Sequence, residues 1–304
     1  MENIKLFETI KRLTSKQDLQ INERKINERA IEKAKENGIN TEGQFNFELR
    51  QLIKSAQIYG DTNTPSPLYY TNPDVSNIME RVFYIGDCKN NVSVPYISAD
   101  AAQWRPEGVP SSDPNNEVES RKLTPHRLCT QITLSKTLLN CASEEVEQKI
   151  KDALINAIYE KLISSIFSEN VLPNGLFLGV QPTTISTKDE LIDFQYQQDK
   201  LTSNNVWIIS AGAKKAINKM DFNPLITDNK LLNSEAICTS LCKDGFIAYL
   251  PLNYLCIAEW NVTSISVNPI TKAADGKVDI YVDAYFDFAM ANDTLIKVGQ
   301  FVDA

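Results

Sequence analysis

Two stretches of alternating apolar and polar residues flank a polar tip, and a long helical period follows them. Val92-Ser-Val-Pro-Tyr-Ile97 alternates as a half-buried strand does, and Leu123 to Ser135 resumes the alternation. Ser98 to Ser120, between them, is rich in Ala, Pro, Ser, Asn and Asp, with Trp104 in its middle. Glu144 to Phe167 then keeps a helical period over 24 residues, a rod of about 36 Å. Ser143 caps it, and acids fill its first turn. Val146, Ile150, Ala153, Leu154, Ala157 and Ile158 make its stripe, which widens with Ile155, Leu162, Ile163 and Ile166. The C-terminal half is therefore expected to be the more buried. A long arm with so little apolar sequence of its own needs a neighbour to lie against, which points to assembly rather than chemistry.

The rest of the chain divides around a linker. Residues 2–36 carry an amphipathic helical stripe beginning Ile4, Phe7, Ile10 and Leu13, and Asn37-Gly38 supplies a stop. Phe45 to Ile58 reads as a second short helix, with Phe45, Leu49, Leu52, Ile53 and Ala56 on one face. Neither segment has a strict heptad. This leader either packs on its own body or a neighbour, or serves as a built-in scaffolding segment, and a sequence that starts at Met1 fits a retained leader. Gly60 to Asn72, with Pro65 and Pro67, reads as extended linker. Val75 to Phe83 is expected as a short helix behind Asp74. Beyond the long helix, Thr187 and Glu190 are spaced as a capping box for a helix to Gln198. Val206–Ser210 reads as a central strand and Ala211–Met220 as a helix. Leu231–Cys242 reads as another helix and Phe246–Leu255 as a strand. Val262–Val267 and Lys277–Phe288 pair as a long hairpin, and Leu295–Val298 is a last short strand.

The chain's 304 residues carry a formal charge of −8, which argues against a primary nucleic-acid binder. Residues 1–57 hold 11 basic and 9 acidic side chains (+2), leaving 20 against 30 (−10) for the remainder. An acidic body with a faintly basic leader does not suit tight gripping of nucleic acid, and it equally suits any soluble cytosolic protein. The six cysteines, at 88, 129, 141, 238, 242 and 256, form no Cys-x-x-Cys pair, so free thiols in a reducing compartment are expected. No apolar run is long enough for a membrane span or a signal peptide. A soluble protein made in a cytoplasm follows.

The same residues carry a family resemblance. Ala102-Gln-Trp104-Arg-Pro-Glu107-Gly108, Ser112-Asp113-Pro114, Leu123-Thr-Pro125-His-Arg-Leu128 and Ser135-Lys-Thr-Leu138-Leu139 precede the long helix. Pro173-Asn-Gly175-Leu176 follows it, and Asn268 to Gly276 makes a later exposed turn between two long strands. The ordered series, over roughly residues 60 to 302, resembles phage major capsid proteins, whose fold is named after the coliphage HK97 shell. The resemblance implies an α+β HK97-like capsid fold. Its parts would be a helical leader (1–57), an N-terminal arm (58–88), and an extended E-loop hairpin (89–135). A peripheral domain with a spine helix (136–182 and 262–288) and an axial α/β domain (183–261 and 289–304) complete it.

The activity so implied is self-assembly into pentamers and hexamers of an icosahedral shell that encloses phage double-stranded DNA without sequence-specific binding. Assembly would occur in the host bacterial cytoplasm, with scaffold, portal and cement proteins as further partners, no cofactor and no membrane. The family's covalent cross-link starts from a lysine in the extended loop. Ser98 to Ser120 contains none, so none is expected here. Trp104 is the expected anchor in a neighbouring subunit, with Arg105 and Glu107 as rim ion pairs, and Pro65, Pro67 and Tyr69 of the arm also at the interface.

Chemistry has few candidates. His126 is the sole histidine. Cys129, three residues along a strand, should point to the opposite face, so no Cys–His pair forms. Cys238 and Cys242, spaced i, i+4 on the expected helix, supply at most half a metal site and read better as buried apolar residues. Asp283 and Asp287 share one strand face, read as exposed sheet rather than an acid pair. Two other functions remain: an encapsulin-type compartment shell, disfavoured by the leader, and a cytosolic α/β enzyme, disfavoured by the missing catalytic constellation.

Overall fold

The computed structural model describes residues 4–41, 43–52, 72–97, 118–141, 143–199, 202, 204–220 and 226–301. The leader comprises α1 (Leu6–Thr14), α2 (Ile21–Glu36) and a short strand β1 (Phe45–Phe47). The chain continues with α3 (Pro73–Met79) and β2 (Phe83–Ile85), then the antiparallel ribbon β3 (Val92–Ile97) and β4 (Val118–Leu123). Next come β5 (His126–Ser135), α4 (Lys136–Cys141) and the long α5 (Glu144–Ile166). The following unit contains β6 (Thr183–Ile185), α6 (Lys188–Asp199), β7 (Val206–Ile209) and α7 (Ala211–Met220). It continues through β8 (Ile226–Thr227), β9 (Lys230–Leu231), β10 (Ser234–Cys238) and β11 (Phe246–Leu250). The 14-residue strands β12 (Leu255–Asn268) and β13 (Lys277–Met290) and the final β14 (Val298–Phe301) close the fold.

A five-stranded sheet runs β1-β12-β13-β5, with β2 beside β12 at the other half of the β1 edge. Alternate residues of β13, from Val278 through Phe286 to Met290, turn one face onto α5. There Leu154, Ile158, Leu162 and Ile166 meet them, and Tyr159 stands edge-on to Phe286 at 5.8 Å. Of the stripe expected of the long helix, Leu154, Ile155, Ile158, Leu162, Ile163 and Ile166 are buried and Val146 and Ile150 half-buried, while Ala153 and Ala157 face outward; the buried positions concentrate from Leu154 onward. A bulge between Glu259 and Thr263 interrupts the β12–β13 register, and Trp260 continues the alternation of Cys256 and Ala258 on the opposite face, in a second apolar cluster.

The seven-stranded sheet is ordered β6-β14-β11-β7-β10-β9-β8. All four residues of β7 are buried because both faces of this sheet are covered. Val206 and Ile208 join the core under the long helix, while Trp207 and Ile209 join a separate cluster with α6 and α7. Trp207 stacks on Tyr249 at 4.2 Å. Gly299 on β14 is required by close packing: a Cβ there would lie 2.5 Å from Ile185 Cδ1 and 2.9 Å from Ile247 Cγ2.

Several local expectations change. The strand expected to return from the loop over Leu123–Ser135 is two strands: β4 pairs with β3, and β5 leaves the ribbon to pair with β13, where a longer partner is available. The strand expected over Phe246–Leu255 stops at Leu250, and a 3₁₀ turn at Leu252–Tyr254 separates it from β12. The helix expected over Phe45–Ile58 is instead β1 and a 3₁₀ turn at Leu49–Leu52, and residues 53–58 lie outside the described set. Phe45 pairs with Ile265 and Phe47 with Thr263, so an unfilled sheet edge outweighs local helix preference. The helix expected over Leu231–Cys242 is strand: β10 lies parallel to β7, and Asp228, Asn229, Leu232 and Asn233 take positive φ in the turns that precede it. The helix expected from Val75 starts at Pro73 under an Asn72 cap and stops at Met79, leaving Phe83 to β2. The last strand shifts to Val298–Phe301 because Asn292 caps a 3₁₀ turn at Asp293–Leu295.

Candidate assembly surfaces

The residues expected to contact neighbours, Trp104, Arg105 and Glu107 in the loop and Pro65, Pro67 and Tyr69 in the arm, lie outside the described residues. What the structure does define is the root from which the loop leaves. The β3–β4 ribbon is a two-stranded sheet of its own, registered from Val92↔Leu123 to Ile97↔Val118, and among the described residues no ladder joins it to the larger sheets. Side-chain contacts and single backbone bonds hold its root.

On the β4 side, Arg121 forms an ion pair with Asp293. The Asp287 carboxylate accepts the Thr124 N–H at 2.8 Å in the joint between β4 and β5. It also accepts the Phe288 N–H at 2.8 Å and faces His126 Nε2 at 3.8 Å. Burial raises the Asp287 carboxyl above the usual range, against the pull of those two N–H groups and of His126. On the β3 side, the 86–91 turn is pinned by Trp260 Nε1, which donates to the Asn90 carbonyl at 2.7 Å, and by Cys88 N–H bonded to Glu259 O at 3.0 Å.

The second face of β13 carries a row of aspartates four residues apart. Asp279 accepts from Thr133 Oγ1 at 2.5 Å and pairs with Lys272 at 2.9 Å; these bonds hold its pKa low. Asp283 pairs with Arg127 at 2.9 Å. Asp283 and Asp287 do share a face, but they are 1% and 7% exposed, so the exposed-face reading is corrected. Each buried carboxylate has its own cross-strand or backbone partner, as buried charge requires. The alternation marked their common face. Their covering comes from elements too distant in sequence to be read locally.

The remaining candidates separate as follows. His126 and Cys129 engage different aspartates, Asp287 and Asp283. The Cys129 thiol is pushed up to about 11 by burial and by Asp283, which keeps it a thiol rather than a nucleophilic thiolate. Cys238 lies on β10 and Cys242 in the turn after it, so the helical i, i+4 spacing is corrected; burial pushes Cys242 up to about 12. Among the described residues no group of three or more His, Cys, Asp or Glu could hold a metal, and no helix is long and apolar enough to cross a membrane.

Apolar side chains missed as surface features stand outside. Val171 is exposed, and Leu172, 74% exposed, lies at one rim of a groove of about 650 Å³ that also borders Thr124, His126, Val180 and Asp287. Ile270 projects from the β12–β13 turn, and Ile192 and Tyr196 from α6.

A family model described as the phage capsid family matches residues 71–301. No curated protein matches the sequence. Among solved structures, the capsid of an empty GTA particle is similar over 82% of this chain and 94% of its own, with TM-score 0.62 and 14% identity. The Mycobacterium phage Bobi structure is similar over 82% and 94%, with TM-score 0.55 and 14% identity. A virus-like particle from Pyrococcus furiosus is similar over 75% and 94%, with TM-score 0.50 and 11% identity. At such identities the likeness is one of fold.

Proposed function

The chain belongs to the phage capsid family, and on that premise we propose how this major capsid protein, structural rather than enzymatic, divides the work of building its icosahedral shell. Its α+β HK97-like fold supplies a stiff peripheral unit, made by α5 and the β12–β13 pair, and a second unit around the seven-stranded sheet that converges on the capsomer axis. Pentamers and hexamers close the shell around double-stranded DNA, held without sequence readout and assembled in the host bacterial cytoplasm. Trp104 anchors the extended loop on a neighbour, Arg105 and Glu107 rim that contact, and Pro65, Pro67 and Tyr69 carry the arm across. Scaffold, portal and cement proteins act alongside.

The observation that carries this reading is the β3–β4 ribbon, which among the described residues has no ladder to its own body yet is rooted by Asp287, Arg121 and Trp260. A two-stranded ribbon is marginal alone, so such rooting suits a limb whose far end lies on another subunit. The test is light scattering after size exclusion on the full chain, with negative-stain images of the leading peak. Hollow particles or capsomer rings are expected, and Trp104→Ala should abolish or greatly reduce them. A monomer at every salt and protein concentration, with neighbouring scaffold genes co-expressed, would refute it.

A compartment shell of encapsulin type is the second reading, favoured by the fold shared with the virus-like particle. Particles purified from infected cells decide between them: packaged DNA supports the virion, and packaged enzyme the compartment.

A further inference from the structure

We propose that the leader, residues 4–52, is a strut that fixes the direction in which the β3–β4 ribbon leaves the body. The family match begins at residue 71, so the matched region does not include this segment. The structure gives it two distinct ends.

One end is tied to the long helix. Leu6 N–H donates to Glu147 Oε1 at 2.6 Å, and Lys151 Nζ donates to the Ile4 carbonyl at 2.7 Å in a buried contact. Ile4, Leu6, Phe7 and Ile10 are in the core beneath α5. The turn into α2 is clamped by buried Glu23, which accepts from Thr9 Oγ1 at 2.8 Å and from Arg12 at 2.7 Å. α2 then runs 16 residues, about 24 Å, towards the ribbon.

The other end grips the ribbon's root. Ala34 and Ile39 share one apolar cluster with Val94 of β3, Leu123 of β4 and Trp260. Lys33 Nζ reaches Asp87 at 2.6 Å and Glu48 at 2.7 Å. Asn37 Oδ1 accepts the Asn90 N–H at 2.7 Å. Strand β1 fastens the C-terminal part of the leader to the edge of β12. Because no ladder among the described residues sets the ribbon's angle, other contacts must, and the leader adds its brace to the Trp260 and Cys88 anchors on the β3 side. Asp287 and Asp293 supply the brace on the β4 side.

That the ribbon's direction matters for assembly rests on the capsid reading, whereas the brace itself can be tested in the unassembled subunit. The variant Lys33→Ala/Asn37→Ala cuts the ribbon end together with the Lys33–Glu48 pair inside the leader, and leaves the α5 end and β1 intact. Hydrogen exchange should quicken at least about tenfold at β3 and β4 while β12 and β13 keep wild-type protection. Shells made from it should vary in diameter where the wild type is uniform. A disulfide-locked variant, Asn37→Cys/Asn90→Cys, should do the reverse and slow exchange at the ribbon root. Exchange at β3–β4 within twofold of wild type in both variants would overturn the proposal, as would uniform shells of unchanged diameter from the cut variant. If the wild type itself forms no shells, the capsid reading fails, and the exchange experiment still decides the brace.

Discussion

Replacing Phe47 by alanine separates a leader that is part of the body from one that merely rests on it. Phe47 is fully buried, stacks with Phe45 at 6.1 Å and lies opposite Thr263 of β12. Alanine keeps the backbone N–H and C=O in the ladder, so the loss is confined to the ring. Truncating a buried phenylalanine costs about 3–5 kcal/mol, transfer and cavity terms together. With a urea slope of about 3 kcal/mol per molar, the midpoint should fall by about 1–1.7 M. The control is Phe83→Ala on β2, at the same sheet edge but exposed, which should change stability by no more than about 0.5 kcal/mol. The assay is urea unfolding of dilute unassembled subunit, followed by tryptophan fluorescence, since Trp207 and Trp260 are both buried. A loss below about 1 kcal/mol for Phe47→Ala, or an early separate transition for the leader, would refute its integration.

Three more outcomes are expected. Ser264 is completely buried between Asn46 and Asp283, and its hydroxyl makes no hydrogen bond; Ser264→Ala should therefore be neutral or slightly stabilising in the same urea assay, and a loss above about 1 kcal/mol would contradict it. The lowered pKa of Asp279 comes from Thr133 and Lys272; its contribution is full above the ordinary aspartate value of about 3.9 and disappears as pH falls through the lower folded value. Melting temperatures of wild type and Asp279→Asn should accordingly differ near neutrality and converge in strong acid, and a gap that persists there would count against the pairing. Subunits extracted from finished shells should keep the full 34.2 kDa by mass spectrometry, and a shortened subunit beginning within 53–71 would show that the leader is removed.

What could be read in advance followed from local period. The long helix and β13 each repeat one spacing over many residues and stand where that spacing placed them. The strand expected to return over Leu123–Ser135 instead divides into β4, which pairs with β3, and β5, which pairs with β13, and β12 begins at Leu255 rather than Val262. Strand β1 was hidden because Phe45, Leu49 and Leu52 also fit a helical face; the deciding partner, Ile265, lies more than two hundred residues away. The segment around Leu231–Cys238 failed similarly, its apolar residues fitting a helix until pairing with β7 claimed them. Asp283 and Asp287 were placed on the right face, but that face is covered by the ribbon root and the leader, and no local pattern records a cover. The assembly surfaces are the least legible part, because an exposed Leu172 or Ile270 has meaning only beside another molecule.

The alternating burial of β7 has a consequence for how one chain fits unlike places in a shell. An icosahedral wall asks identical subunits to meet neighbours at more than one angle, and two lobes joined by a slack joint would answer by swinging. Here Val206 and Ile208 are locked into one core and Trp207 and Ile209 into another, while Ala248 and Tyr249 of β11 divide in the same way. The strand at the junction is gripped from both sides, leaving no loose layer along which the lobes could slide. Packed interiors of this kind transmit strain rather than absorb it. Differences in curvature then fall to the contacts between subunits, and the body, with the braced root of its ribbon, acts as a template of fixed shape that every position in the wall inherits.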